Sequence, residues 1–234
     1  MTNIKKNNNS FNNKNYIEKD FVIFGNGQFS KLVLYYLKND TPFYKNLKAF
    51  VAPKQYILEE RIDKISVIDE DNFILNYNPS TTIIILGIGS IKKNLVRKLV
   101  FEKYKAMGFK FFNYVSSEAH VYSEINSEAV LIFASTIIEP NVKIGSNVIF
   151  RSGVTISHDS NIENHVFISN GVCTGGNVTI KEQSFIGLRS VIKNSIVIAK
   201  RSFIDALSYV HVSTKEDQIL RGNPARAINL KIRN

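Results

Sequence analysis

From Ile132 to Val210 an aliphatic or Phe side chain returns at every sixth residue: Ile132, Ile138, Ile144, Phe150, Ile156, Ile162, Ile168, then Thr174, Ile180, Ile186, Ile192, Ile198, Ile204 and Val210. Only Thr174 departs from the row. A second row lies two positions before each member and holds small or β-branched residues, running from Val130, Thr136, Val142 and Val148 to Ile196, Ser202 and Ser208. A period of six matches neither the 3.6 of an α-helix nor the alternation of one long strand. It is the repeat of a β-solenoid in which each hexapeptide forms one flat side of a coil. Three such sides close one coil, so both rows are predicted to stack in the interior, coil on coil at about 4.8 Å. The solenoid is expected to begin near Val121, within a domain spanning residues 120–234. The recurring Ser184, Ser190, Ser202 and Ser208 then read as small inward-packing side chains, not as an array of nucleophiles.

Ahead of the solenoid the pattern changes. Phe21-Val22-Ile23-Phe24 reads as a buried strand, followed by Gly25-Asn26-Gly27-Gln28-Phe29-Ser30 and an apolar-periodic helix through Leu37. Further strands are predicted at 47–51, 67–68, 82–86 and 109–114. A long amphipathic helix at 95–107 is closed by Gly108 as its C-cap. Strand alternating with helix predicts a parallel sheet covered by helices, a small Rossmann-like domain over residues 19–115. Residues 1–18 are dominated by Asn and Lys and are expected to form a flexible tail. The fold class is therefore an α/β Rossmann-like N-terminal domain followed by an all-β, left-handed parallel β-helix of hexapeptide repeats.

Composition narrows the partners. A hydrophobic content of 44% supports proper cores. No apolar run reaches the length of a membrane helix, and the start of the chain lacks an apolar signal core, so a cytoplasmic protein that does not contact membrane is expected. The single Cys173 cannot form an internal disulfide, which agrees. A net charge of +10 calls for an anionic partner. The basic residues form no aromatic-flanked stripe and no helix-turn-helix pattern accompanies them, so nucleic acid is not expected.

Two local features carry candidate chemistry. Within the solenoid, His158-Asp159 falls just past the inward Ile156, near a corner where side chains project. Asp159 there would hold the imidazole in one tautomer and leave the other nitrogen as a general base. At the N-terminus, Gly25-Asn26-Gly27 opens a helix whose backbone amides suit a diphosphate. Ser30 stands where a dinucleotide fingerprint has its third glycine, and the second strand, ending Ala52-Pro53-Lys54, offers no carboxylate before Glu59. NAD is therefore not the expected ligand. His120 and His211 have no partner in sequence and read as structural or exposed.

Three stretches together resemble a known family: Phe24 to Lys31 around the glycine turn, Ser157-His158-Asp159, and Gly175-Gly176-Asn177-Val178-Thr179-Ile180 with Phe185-Ile186-Gly187. Their order, with the terminal Gly222-Asn223-Pro224-Ala225-Arg226, is similar to the sugar O-acyltransferases of the sialic acid O-acetyltransferase type, which include hexapeptide-repeat N-acetyltransferases of nucleotide-linked amino sugars. The resemblance covers about residues 20–230. It implies acetyl-CoA as cosubstrate, His158 as general base with Asp159 orienting it, and Gly175, Gly176 and Gly187 against the pantetheine arm. It also implies Gly25, Asn26, Gly27 and Gln28 at the acceptor, no metal, and a homotrimer with sites between subunits. The implied activity is N-acetylation of a UDP- or dTDP-linked amino-deoxy-sugar in bacterial surface glycan biosynthesis. Transfer to a hydroxyl, as in sialic acid O-acetylation, and a non-catalytic β-helix binding module are the alternatives. The family often has a second His nine residues after the first; here that position is Phe167, while His165, in a different phase, reads as a surface residue.

Overall fold

The computed structural model describes residue 16 and residues 18–228. The expected tail therefore lies outside the described residues except at 16 and 18, as does the chain beyond 228. The described residues divide into two compact units, one holding 16–89 and 99–113, the other Ser90–Lys98 and 114–228. No helix among the described residues is long and apolar enough to cross a membrane.

The first unit is a six-stranded sheet. Its elements are β1 (Asp20–Phe24), α1 (Gln28–Asp40), β2 (Leu47–Ala52), β3 (Arg61–Ile62), β4 (Ile65–Asp69), α2 (Glu70–Asn76), β5 (Thr82–Leu86), the part of α3 (Leu95–Ala106) from Leu99 onward, and β6 (Lys110–Phe111), with strand order β3-β4-β2-β1-β5-β6. The strands run parallel save β3, which pairs antiparallel with β4. β1 lies between β2 and β5, and its Phe21, Val22, Ile23 and Phe24 are buried, as a near-continuous apolar run requires. In α1 the buried Ser30, Val33, Leu34 and Leu37 recur at helical spacing. Gly108 follows α3 at φ +88°, a left-handed stop that glycine adopts freely.

Two expectations change here. The single strand predicted at 109–114 is broken: Phe112 N–H makes its bond to Ile84 O in this sheet, whereas Tyr114 N–H donates to Val130 O in the solenoid. The buried Phe111 and Phe112 and the buried Tyr114 thus serve two cores. The helix α2 escaped the hydrophobic pattern because seven residues are too few to show a period; its start is fixed instead by the Asp69 side chain, which accepts the Asn72 N–H at 2.8 Å.

The second unit is a left-handed parallel β-helix with three faces. Its first face stacks short strands at 120–121, 137–138, 155–156, 173–174, 191–192 and 209–210. The second stacks 143–144, 161–162, 179–180 and 197–198, and the third begins at 114–115 and runs through 131–132, 149–150, 167–168, 185–186 and 203–204 to 219–221. Partners in adjacent coils are 18 residues apart, as Asn161 is from Thr179 and Ile162 from Ile180. Both sequence rows point inward and are buried, Ile144 alone being only half-buried. Where the second row carries Ser, the hydroxyls bond backbone, Ser184 Oγ to Ala199 O at 2.9 Å and Ser190 Oγ to Asp205 O at 2.8 Å. The small inward-packing reading of these serines holds.

Each coil turns its corners through a left-handed residue. The positive φ recurs at Ser135, Asn141, Asn147, Gly153, Asp159, His165, Gly171, Asn177, Gln183, Arg189, Ser195, Arg201 and Leu207, again every sixth position. Outside glycine, Asn and Asp tolerate this conformation best, because their short polar side chains bond locally. The fold predicts an asymmetry between neighbouring residues of one strand. Replacing the fully buried Ile162 with Ala is expected to cost about 2–5 kcal/mol in urea unfolding, while Asn161→Ala, on the outward side, is expected to stay within about 0.5 kcal/mol.

Candidate active site

His158 and Asp159 occupy the corner between the first and second faces. Both are exposed, their side chains at 62% and 53%, and His158 Nδ1 lies 2.8 Å from Asp159 Oδ2. A carboxylate can only accept, so Nδ1 carries the proton and the neutral ring presents a bare Nε2. The hydrogen bond to Asp159, reinforced by the nearby charges of Asp159 and Glu139, raises the imidazole above its ordinary value. Asp159 is held below the usual carboxylate range by hydrogen bonds from His158 and then from Asn141. The pair is thus ionised on the carboxylate and biased toward accepting a proton on the ring, which is what a general base needs.

The previous coil supplies two supports that the sequence reading missed. Glu139 Oε2 accepts the His158 backbone N–H at 2.8 Å, and Asn141 Nδ2 donates to Asp159 Oδ1 at 3.1 Å. The 18-residue spacing was the available signal, since Asn141 stacks in the slot one coil before Asp159. Thr174 also finds its reason here. Its Oγ1 accepts the Ser157 N–H at 3.1 Å and its carbonyl accepts Ser157 Oγ at 2.8 Å, so the one break in the apolar row fastens the residue beside His158.

The three solenoid glycines do not form one group. Gly176 stacks against His158: a Cβ there would lie 2.7 Å from both Cε1 and Nε2 of the ring. Only glycine leaves the imidazole its place, and the Gly176 N–H donates to no acceptor among the described residues. Gly175 is set by the next coil, because a Cβ would stand 2.7 Å from Asn194 N. Gly187 lies at a different corner, between the third and first faces, where a Cβ would meet Ala206 N at 2.6 Å. Close coil packing by itself requires glycine at Gly175 and Gly187. Cys173 is exposed on the first face.

His165 corrects an expectation, for it is buried at 5% exposure and not on the surface. It sits in a left-handed corner slot, where its Nδ1 meets Asn147 Nδ2 at 2.8 Å. The segment 90–98 covers this corner. Arg97, fully buried, donates through Nη1 to Asn147 O and Oδ1 at 2.8 Å each and through Nη2 to Val166 O at 3.2 Å. Burial brings its guanidinium down to about 9, so it remains a cation at neutral pH. Burial first, then the charges of Arg97 and Lys98, drive His165 down to about 4 and keep it neutral. Phe167, at the position nine residues past His158, lies under the Arg97 guanidinium at 6.0 Å and stacks on Phe185 at 5.6 Å. That position is core packing in this chain. His120 is exposed, and the half-buried His211 stacks on Tyr209.

The glycine turn of the first unit also resolves into parts. Gly25 sits at φ +115°, donates its N–H to Val51 O at 2.7 Å, and would drive a Cβ to 2.9 Å from Gly87 O. Asn26 spends its amide on Tyr56 O at 2.7 Å, fastening the loop after β2. Gly27, by contrast, has open space where its Cβ would be, and it caps α1 with no side-chain bond. Gln28 is exposed in the first turn, which contains no acidic residue. Glu59 forms an ion pair with Lys31 at 2.9 Å.

No protein-family model and no curated protein matches the chain. Solved structures do. The acetyltransferase domain of PglB from Neisseria gonorrhoeae matches with a TM-score of 0.79 at 21% identity, covering 90% of this chain and 100% of that one. PerB from Caulobacter crescentus, solved in complex with CoA and GDP-perosamine, matches with a TM-score of 0.79 at 20% identity over 90% of this chain and 97% of that one. WeeI from Acinetobacter baumannii matches with a TM-score of 0.78 at 21% identity over 90% and 100% respectively. These likenesses establish a shared fold across both units.

The buried imidazole makes a prediction about acid stability. The His165 value of about 4 lies below the ordinary 6.5, so between those values the unfolded chain binds more protons and stability falls as the pH drops. In His165→Asn that component is expected to vanish, giving a flatter dependence than wild type in urea unfolding at pH 7, 5.5 and 4.5.

Proposed function

We propose that this protein is an acetyl-CoA-dependent N-acetyltransferase acting on the amino group of a nucleotide-linked amino-deoxy-sugar. The observation that carries the reading is the exposed His158-Asp159 pair with its ring against the bare Gly176. The neighbour PerB, solved with CoA and GDP-perosamine, supports the two substrate classes and adds a guanosine nucleotide to the pyrimidine ones considered from sequence. The acceptor sugar, its nucleotide and a role in cytoplasmic synthesis of a surface glycan belong to the same proposal.

The chemistry follows from the corner. The acceptor nitrogen attacks the thioester carbonyl as His158 Nε2 takes its proton, and Asp159 stabilises the resulting imidazolium. Charge then develops on the carbonyl oxygen, for which the Gly176 N–H, without an acceptor among the described residues, is a suitable donor. The C–S bond breaks next, and the leaving thiolate takes the proton back from His158. Gly175 and Gly176 leave a strip without side chains along which a linear pantetheine fits. Gly27 and Gln28, at an open helix start, are the proposed contacts for the acceptor's diphosphate, with Gly25 and Asn26 shaping the turn around them.

A homotrimer is part of this proposal. Ile137, Val191 and Tyr209 stand exposed in one line on the first face, with Leu188 and Leu207 on the corner beside it, Leu207 at 68% exposure. Exposed apolar side chains aligned in this way suit contact with further copies of the chain. A single species of monomer mass in sedimentation equilibrium at micromolar concentration would count against it.

The direct test is thiol release from acetyl-CoA with UDP-, dTDP- and GDP-linked 4-amino sugars as acceptors. Wild type is expected to turn over with at least one of them, and His158→Asn to lose about 10²- to 10⁴-fold in kcat while melting normally. Asp159→Asn is expected to lose less. Undiminished turnover in His158→Asn would place the base elsewhere.

A further inference from the structure

The His158-Asp159 contact joins adjacent residues, both more than half exposed, at a turn where side chains diverge. Something beyond the pair must hold it. We propose that Asn141, in the preceding coil, is a positioning residue that locks the Asp159 carboxylate in the orientation His158 requires. This inference rests on the general-base reading above and extends it to a residue outside the pair.

The geometry is specific. Asn141 and Asp159 occupy the same corner slot in successive coils, at φ +62° and +58°, so their side chains start from stacked and nearly identical backbones. Asn141 Nδ2 reaches Asp159 Oδ1 at 3.1 Å while Oδ2 holds His158 Nδ1 at 2.8 Å. Each carboxylate oxygen is therefore committed to one donor, and rotation about the carboxylate bond would break both. An amide suits this slot because its N–H₂ can only donate to the carboxylate, whereas an acid there would bring a second negative charge. The next coil shows the same kind of link without the chemistry: Asn177 Nδ2 lies 3.4 Å from Ser195 Oγ. Glu139, two residues before Asn141, completes the support by accepting the His158 backbone N–H. Asn141 thus fixes the carboxylate, and Glu139 fixes the backbone of the base.

Among the described residues, two charged groups act on the imidazole. Asp159 shares its turn, Glu139 lies on the preceding coil, and the following coil presents the uncharged Gly176. A new charge at position 141 is therefore readable at His158. In Asn141→Asp the left-handed slot is still tolerated, the donor is lost and a carboxylate is added.

The experiment follows the His158 ring by proton NMR through a pH titration of the full chain without substrates, its signal assigned by comparison with His158→Asn. Asn141→Asp is expected to raise the His158 pKa by about half a unit or more. The acid limb of kcat/KM should then move to higher pH with it. Asn141→Ala is expected to lower kcat about tenfold, a fraction of what a base contributes, with KM for acetyl-CoA and acceptor within about twofold of wild type. An unmoved His158 titration in Asn141→Asp, or an unchanged kcat in Asn141→Ala, would overturn the proposal. Failure of the general-base reading is separately visible as undiminished turnover in His158→Asn, and the substrate-free titration does not depend on it.

Discussion

Coil-on-coil stacking is the constraint from which the second unit follows. Each coil bonds the next through parallel backbone contacts such as Gly145 N–H to Ile162 O at 2.7 Å, and every side chain therefore meets those 18 positions away. The interior must then be filled by rows, which is why Ile and Val recur without slipping. The corners must turn through left-handed residues, which is why Asn, Asp and Gly recur beside them. Even the exceptions obey it. Thr174 gives up an apolar side chain to bond Ser157 one coil earlier, and Gly175 and Gly187 give up side chains because the next coil leaves no room for a Cβ.

The candidate site is a local use of that same register. His158 and Gly176 are one coil apart, as are Asn141 and Asp159, so the proposed base, the carboxylate bonded to it, the amide behind that carboxylate and the bare surface beside the ring all fall at one corner. No long loop is needed. Because the backbone supplies the rigidity, exposed polar side chains can be held in a defined geometry that an ordinary surface turn would not maintain.

The two rows and the strand-helix alternation made the fold legible, because burial in a β-helix leaves a strict period and buried parallel strands leave apolar runs. His158-Asp159 was legible as a pair for a simpler reason, adjacency in sequence. What escaped were interactions between residues far apart in the chain. Arg97 lies 50 residues from Asn147, and nothing in either segment announces that a buried guanidinium would cover the corner carrying His165 and turn an expected surface imidazole into a buried neutral one. The short α2 and the break between β6 and Tyr114 were missed because so few residues carry no period. The surroundings of the three solenoid glycines were not legible either, since only the stacking geometry shows that Gly176 lies against the His158 ring while Gly175 and Gly187 lie under the backbone of the next coil.

The central claim is that acyl donor and base meet at the His158–Gly176 corner. A crystal structure of the full chain soaked with CoA tests this most directly. The expected result is a pantetheine running along Gly175 and Gly176, with its sulfur within about 3.5 Å of His158 Nε2, close enough to exchange a proton. CoA bound on another face, or with its thiol away from His158, would contradict it.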